Sequence, residues 1–380
     1  MRWLAVLALA ACFSPAAESS PDAPNAPDAD TRGAGCIAKL ALGSHHSCVL
    51  RKDGAVWCWG ANNTAQLNDR TEVDATVPRE VFRGAKDLVS GLQHLCAIDH
   101  DDALWCWGRD AFGQIGNATN THSELATRVP IDRVTAVAGG NLAEHVCARD
   151  VDGALWCWGR NDYAQLGLGH DAPTYSPART TVATALPALG SEYSCTLDEA
   201  SHVVCWGRNV FGAMGISSPG GPTPQRGAGD ATFVSLTAGG TTTCGLTAEG
   251  GVECWGDGAQ GQLGGPLESI TPVHLLDDAD LVRMGSGSIC ARKLDGTVWC
   301  WGKNQYGGLA TGTTDYPPGP VPTLLADVVD LALGNLHGCA LTRDGGVACW
   351  GYDGYGQLGR GGLPNLDPHP TPQTVPIPCE

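Results

Sequence analysis

Short apolar runs separated by turns recur along the chain, and every copy carries the same marks. In the second copy, residues 87–90, 94–98 and 103–107 read as three strands, and a segment near residues 128–134 reads as a fourth that leads into the next copy. The second and third strands are joined by a tight hairpin. In the first copy it runs Cys48-Val49-Leu50-Arg51-Lys52-Asp53-Gly54-Ala55-Val56-Trp57-Cys58-Trp59-Gly60, with Cys48 and Cys58 flanking Asp53 symmetrically. The pattern returns six more times, and successive Trp-Gly tryptophans lie 48, 51, 48, 49, 46 and 49 residues apart. Spacing this regular predicts one repeat domain filling nearly the whole chain rather than two or three ordinary domains.

Glycine at the third loop position suits a type I turn closed by a left-handed residue. Gly54, Gly153, Gly250, Gly296 and Gly345 fill that slot, whereas Asp102 and Ser201 replace it; serine tolerates the left-handed region poorly, so the fourth hairpin is expected to be the least regular. Directly opposed residues of antiparallel strands lie within disulfide range. Seven cross-strand bridges follow: Cys48 to Cys58, Cys96 to Cys106, Cys147 to Cys157, Cys195 to Cys205, Cys244 to Cys254, Cys290 to Cys300 and Cys339 to Cys349. Of the 17 cysteines, Cys12, Cys36 and Cys379 remain. Cys36 and Cys379 bracket the folded region and are expected to clasp its ends. Paired metal sites would need ligands clustered as in C-x₂-C spacing, so neither a metal nor another cofactor is expected.

Composition narrows the class. With 52 glycines, 24 prolines and only 17% charged residues, the chain is turn-rich and all-β, with no room for long charged amphipathic helices. A formal charge of −17 without a basic run repels phosphate backbones, so no nucleic-acid partner is expected. Met1-Arg2 and the apolar run from Trp3 to Ala11 read as a short export signal, too short to span a bilayer. The run ends in Leu9-Ala10-Ala11-Cys12, which resembles the bacterial lipobox. That resemblance implies removal of residues 1–11, lipid on Cys12 and a membrane anchor, and Phe13 after the cysteine favours the outer membrane. A plain secretory signal is the alternative. Residues 12–35, rich in Ala, Pro, Ser and Asp, read as a disordered tether, and the folded domain as residues 36–379.

The unit Gly43-Ser44-His45-His46-Ser47-Cys48, the hairpin ending in Trp59-Gly60, and closing elements such as Gly113-Gln114-Ile115-Gly116 and Gly356-Gln357-Leu358-Gly359 resemble the regulator of chromosome condensation repeat. The resemblance covers residues 36–379 and implies a seven-bladed β-propeller of four-stranded blades. It does not carry an activity. The eukaryotic namesake is a nuclear guanine-nucleotide exchange factor that binds chromatin, whereas similar bacterial propellers are secreted binding proteins, one of which inhibits β-lactamase.

His46, His94, His145 and His337 lie two residues before the first cysteine of their hairpins, a ring that could suggest a metal but fits side chains hydrogen-bonded near the blade core. Phe112, Tyr163, Phe211, Tyr306 and Tyr355 each fall five residues after the Trp of Trp-Gly, with Thr64 and Gln260 elsewhere. They are either packing residues or an aromatic girdle for a protein or glycan. From Gly139 to Cys147 is eight residues where the other copies have five, so Asn141, Leu142, Ala143 and Glu144 are expected to bulge from the third unit as part of a candidate binding surface. The Gly- or Pro-rich stretches 217–229, 311–322 and 361–372 read as surface loops. No phosphate loop, H-E-x-x-H, G-x-S-x-G or EF-hand motif occurs. The leading expectation is a monomeric, non-enzymatic, exported and lipid-anchored propeller that binds a protein or polysaccharide at the cell envelope. The alternatives are an exchange-factor-like regulator and an enzyme with its site at the channel mouth.

Overall fold

The computed structural model describes residues 35–180 and 185–379; Cys12, the export signal and nearly all of the tether lie outside them. The described residues contain no helix and form seven four-stranded antiparallel sheets, each built from consecutive strands. In the first blade these are Ile37–Leu42, His46–Arg51, Val56–Gly60 and Ala75–Phe82. The first strands of successive blades pack side by side around an axis, so the sheets form the expected seven-bladed propeller. The first and last blades exchange no strand.

Each hairpin pairs its cysteines directly, as in the Cys48↔Cys58 and Cys195↔Cys205 registers. All seven hairpin pairs are disulfides; Cα atoms lie 4.1 Å apart for Cys48–Cys58 and 4.2 Å for Cys147–Cys157. The fourth hairpin is as regular as the rest, against the expectation drawn from Ser201. Its register is unbroken, because Ser201 takes the left-handed conformation itself at φ 65°, as Asp102 does at 63°.

The fourth strands differ from the sequence reading. In the second blade the strand is Ser123–Arg128, ahead of residues 128–134, which instead cross to the next blade. The stretches expected as loops hold the outer strands Gly220–Arg226, Val321–Pro322 and Asn365–Thr374. An outer strand bonds along one edge only, so prolines such as Pro368, Pro370 and Pro372 are tolerated there.

Between blades, each Trp of Trp-Gly is fully buried. Most donate the indole N–H to a carbonyl of the preceding blade: Trp107 to Gln66 at 2.9 Å, Trp158 to Gln114 at 2.9 Å, Trp350 to Gly308 at 2.8 Å. The ring closes between blades seven and one in the same way, with Trp59 donating to the Gln357 carbonyl at 2.8 Å. Ser47 donates to the same oxygen at 2.9 Å, Arg51 donates to the Pro378 carbonyl at 2.6 Å, and Cys36 and Cys379 form a disulfide.

Candidate functional site

The face where third strands end is built by one repeated turn. Three residues after the Trp, an Asn or Asp accepts from a backbone N–H five residues on: Asn62 from Leu67 at 2.8 Å, Asp110 from Ile115 at 2.8 Å, Asn161 from Leu166 at 2.9 Å. Seven residues after the Trp, a Gln accepts from the amide of the girdle position, as Gln114 does from Phe112 at 2.9 Å and Gln357 from Tyr355 at 2.9 Å. The turn thereby aims the girdle side chain outward. Blades four and six have Ala213 and Gly308 in the Gln slot, and blade five has Gly258 in the Asn slot. In blade four Phe211 takes φ 53° and its ring is 51% exposed, while Phe112, Tyr163, Tyr306 and Tyr355 are half-buried.

The sequence reading missed what fills the spaces between these side chains. In several blades the residue two after the Trp packs between girdle positions of its own blade and the preceding one. Arg160 lies 5.0 Å from the Phe112 ring and 5.3 Å from the Tyr163 ring, and Arg208 lies 4.7 Å from Tyr163. Tyr352 follows the same geometry, 4.7 Å from Tyr306 and 6.2 Å from Tyr355. Around the face the two positions read Ala61 and Thr64, Arg109 and Phe112, Arg160 and Tyr163, Arg208 and Phe211, Asp257 and Gln260, Lys303 and Tyr306, Tyr352 and Tyr355. Three consecutive Trp-Gly-Arg steps were the available signal. Stacked cation–π contacts of this kind contribute about 0.5–1 kcal/mol each when exposed and more when desolvated.

The insertion Asn141, Leu142, Ala143 and Glu144 leaves the third blade and turns inward over the channel mouth on this face. Asn141 Nδ2 donates across the axis to the Leu333 and Gly334 carbonyls of blade seven at 3.1 and 3.0 Å. Leu142 reaches over Gly240 of blade five, and the Ala143 carbonyl accepts from Leu92 of blade two at 3.0 Å. Buried backbone and amide groups need partners, and the Leu333 and Gly334 carbonyls supply them for the Asn141 amide. Glu144, buried, pairs with Arg109 and, at 3.0 Å, with Arg160. The plug therefore anchors Arg109 and Arg160 of the face. Behind it lies a cavity of about 1150 Å³ lined by first strands of all seven blades.

The four histidines are buried beneath the face, and three of them link blades. His46 meets Ser90 at 2.7 Å, His145 meets Ser194 at 2.9 Å, and His337 meets Ser47 at 2.9 Å. Because Ser47 and Ser194 donate onward to the Gln357 and Gln165 carbonyls, they accept from Nε2–H, which fixes a neutral tautomer. Burial pushes all four rings down to about 3. His94 has no hydrogen-bond partner: the slot occupied by Ser47 or Ser194 in other blades is Val146 in blade three. Among the described residues no group of three or more His, Cys, Asp or Glu is placed to hold a metal ion.

Sequence profiles of the regulator of chromosome condensation (RCC1) repeat match residues 37–66, 85–114, 134–165, 281–307 and 328–357, and a second RCC1-repeat profile matches 152–190 and 295–341. The chain belongs to this family. Among RCC1-repeat relatives, the Ultraviolet-B receptor UVR8 of Arabidopsis thaliana is 27% identical over 299 residues, 73% of this chain and 55% of the receptor. The E3 ubiquitin-protein ligase HERC2 of Homo sapiens is 27% identical over 228 residues, 54% of this chain and 5% of the ligase. This RCC1-repeat chain thus spans about half the length of the one and a small part of the other. Yeast RCC1 (Prp20), solved bound to Kap60, superposes with a TM-score of 0.78 at 16% identity, covering 98% of this chain and 91% of that one. Human WBSCR16 gives 0.72 at 22% identity, covering 81% and 87%. At these identities the likeness is one of fold.

Proposed function

We propose that this RCC1-repeat propeller is a non-enzymatic binding protein that holds a protein or polymer of the cell envelope on its plugged face. The observation that carries the reading is the interleaved ring. The backbone turn is repeated in every blade, yet the two positions it presents differ from blade to blade, so the side-chain chemistry is concentrated on one face. The solved yeast RCC1 relative is bound to another protein, Kap60, which agrees with a binding role. Eight disulfides support an oxidising compartment, as export would provide. Cys36 sits against the hairpin loops, its carbonyl accepting from Lys52 at 2.8 Å. A lipid tether on Cys12 would therefore join the side opposite the ring and leave the ring facing away from the membrane.

The test is crosslinking and capture from the native membrane fraction with wild type, a Phe112→Ala/Arg160→Ala/Tyr163→Ala variant, and an Asp101→Ala control on the hairpin side. Loss of a captured species in the ring variant alone supports the reading. Equal capture by the ring variant and wild type would refute it. Labelling of the protein with palmitate, lost in Cys12→Ser, tests the anchor.

A further inference from the structure

The ring has one cation that no carboxylate covers. Arg109 and Arg160 share Glu144, Arg160 also pairs with Asp162 at 3.0 Å, and Arg208 pairs with Glu192 at 2.9 Å. Lys303 occupies the same position in blade six, yet its ammonium has no hydrogen-bond or ion-pair partner among the described residues. It is half-buried, and desolvation alone holds its pKa below the ordinary 10.5. Lys303 fills the slot of Arg160 in its own blade, and its stem lies beside Gln260: a Cβ added at Gly287 would stand 3.0 Å from Gln260 Oε1 and 3.5 Å from Lys303 Cβ.

Beside it the ring turns aromatic. Tyr306 and Tyr352 are 4.7 Å apart, Tyr352 and Tyr355 are 6.2 Å apart, and His45 lies 5.0 Å from Tyr355. All four rings are half-buried, and the three phenol hydroxyls have no hydrogen-bond partner among the described residues. Tyr352 lies folded over Gly354, where an added Cβ would stand 2.2 Å from its hydroxyl. The most exposed aliphatic side chains, such as Leu267, Leu294 and Leu363, lie at none of the ring positions.

We propose that Lys303, Tyr306, Tyr352, Tyr355 and His45 form a subsite for the end of a glycan that carries a carboxylate sugar. This rests on the plugged face being the binding face. Aromatic rings take the C–H faces of sugars, phenols and the Gln260 amide bond their hydroxyls, and one uncovered ammonium takes one carboxylate. A polyanion is disfavoured by the single free cation and by the chain's formal charge of −17, so the ligand presents an isolated acid group.

The experiment is a titration of the purified disulfide-bonded protein with methyl glucuronide and methyl glucoside, followed by saturation-transfer NMR and calorimetry. Saturable binding of the glucuronide, at least fivefold weaker binding of the glucoside, and a tenfold or greater loss in both Lys303→Met and Tyr352→Ala are expected. Gly354→Ala, which displaces Tyr352 from its seat, should lose affinity too, while Asp101→Ala on the hairpin side should not; circular dichroism of each variant checks folding. Equal binding of the two sugars, unchanged affinity in Lys303→Met, or no binding by the folded wild type would overturn the subsite. If the sugars fail while capture of an envelope partner still depends on Tyr352, the glycan assignment falls and the binding face stands; if capture is also independent of the ring, both fall.

Discussion

Asp110 stands in the slot that Asn62, Asn161, Asn209 and Asn304 fill in other blades, and the exchange has a calculable effect. An asparagine there accepts with its oxygen and donates with its amide, as Asn161 does to the His170 and Ala172 carbonyls at 2.9 and 3.0 Å. A carboxylate can only accept. Asp110 is wholly buried, and burial raises its carboxyl from 3.8 to about 6 despite bonds from Ile115 and Thr119. The sign follows from linkage. Below about pH 3.8 both folded and unfolded forms are protonated and nothing is lost. Between 3.8 and 6 the unfolded chain releases its proton first, so stability falls as pH rises. Above 6 the full penalty is present. A shift from 3.8 to about 6 corresponds to roughly 3 kcal/mol as an upper value, at about 1.4 kcal/mol per tenfold change in proton affinity. Asp110→Asn should therefore stabilise the protein at pH 8 by about 1–3 kcal/mol, or about 2–4 °C in Tm for a domain this large. Thermal melts of both proteins at pH 4, 6 and 8 check it. A gain that is the same at all three pH values, or a loss at pH 8, would mean that the carboxylate is not the source.

Three further outcomes are expected. His46, His94, His145 and His337 are held neutral, so their contribution is complete above about pH 6.5 and is lost as pH falls toward 3; the urea midpoint should drop between pH 7 and pH 4.5, and a flat profile would show that the rings can be charged in place. The Cys36–Cys379 bridge spans 343 residues against 10 for each hairpin bridge, which on the chain-entropy model is worth about 6 against about 3 kcal/mol at most. Replacing both clasp cysteines with serine should thus cost more Tm than replacing any hairpin pair and speed amide exchange along the Ile37–Leu42 and Asn365–Thr374 strands; the opposite ranking would deny that it closes the ring. Deleting Asn141, Leu142 and Ala143 restores the five-residue spacing of the other copies; the protein should fold, with faster amide exchange at the Leu333–Gly334 end of blade seven, and unchanged protection would contradict a plug.

The hairpins were readable from sequence because Cys, Trp and Gly sit at fixed offsets, each tied to a strand-pairing or packing demand. The outer strands were hard to place because they bury little: Ser123–Arg128 and Gly220–Arg226 contain no fully buried residue, so no apolar alternation marks them. The length of the third-blade insertion was visible, but not its direction, which depends on carbonyls of Leu333 and Gly334 almost two hundred positions away. The girdle aromatics could be aligned from the Trp-Gly steps. Their partners Arg109, Arg160, Arg208 and Lys303 acquire meaning only once neighbouring blades interleave, a relation that no single repeat displays.

The turn after Trp-Gly separates what must stay constant from what can vary. Where present, its Asn and Gln hold the backbone, while the two positions it presents change from blade to blade. Each blade therefore resembles a slot in a type-case: the frame is cast once, and two letters are set in it without recasting. A new specificity can be composed by exchanging letters at Thr64, Asp257 or Gln260, the sparsest part of the line, and such exchanges make this propeller a scaffold on which recognition can be rewritten blade by blade.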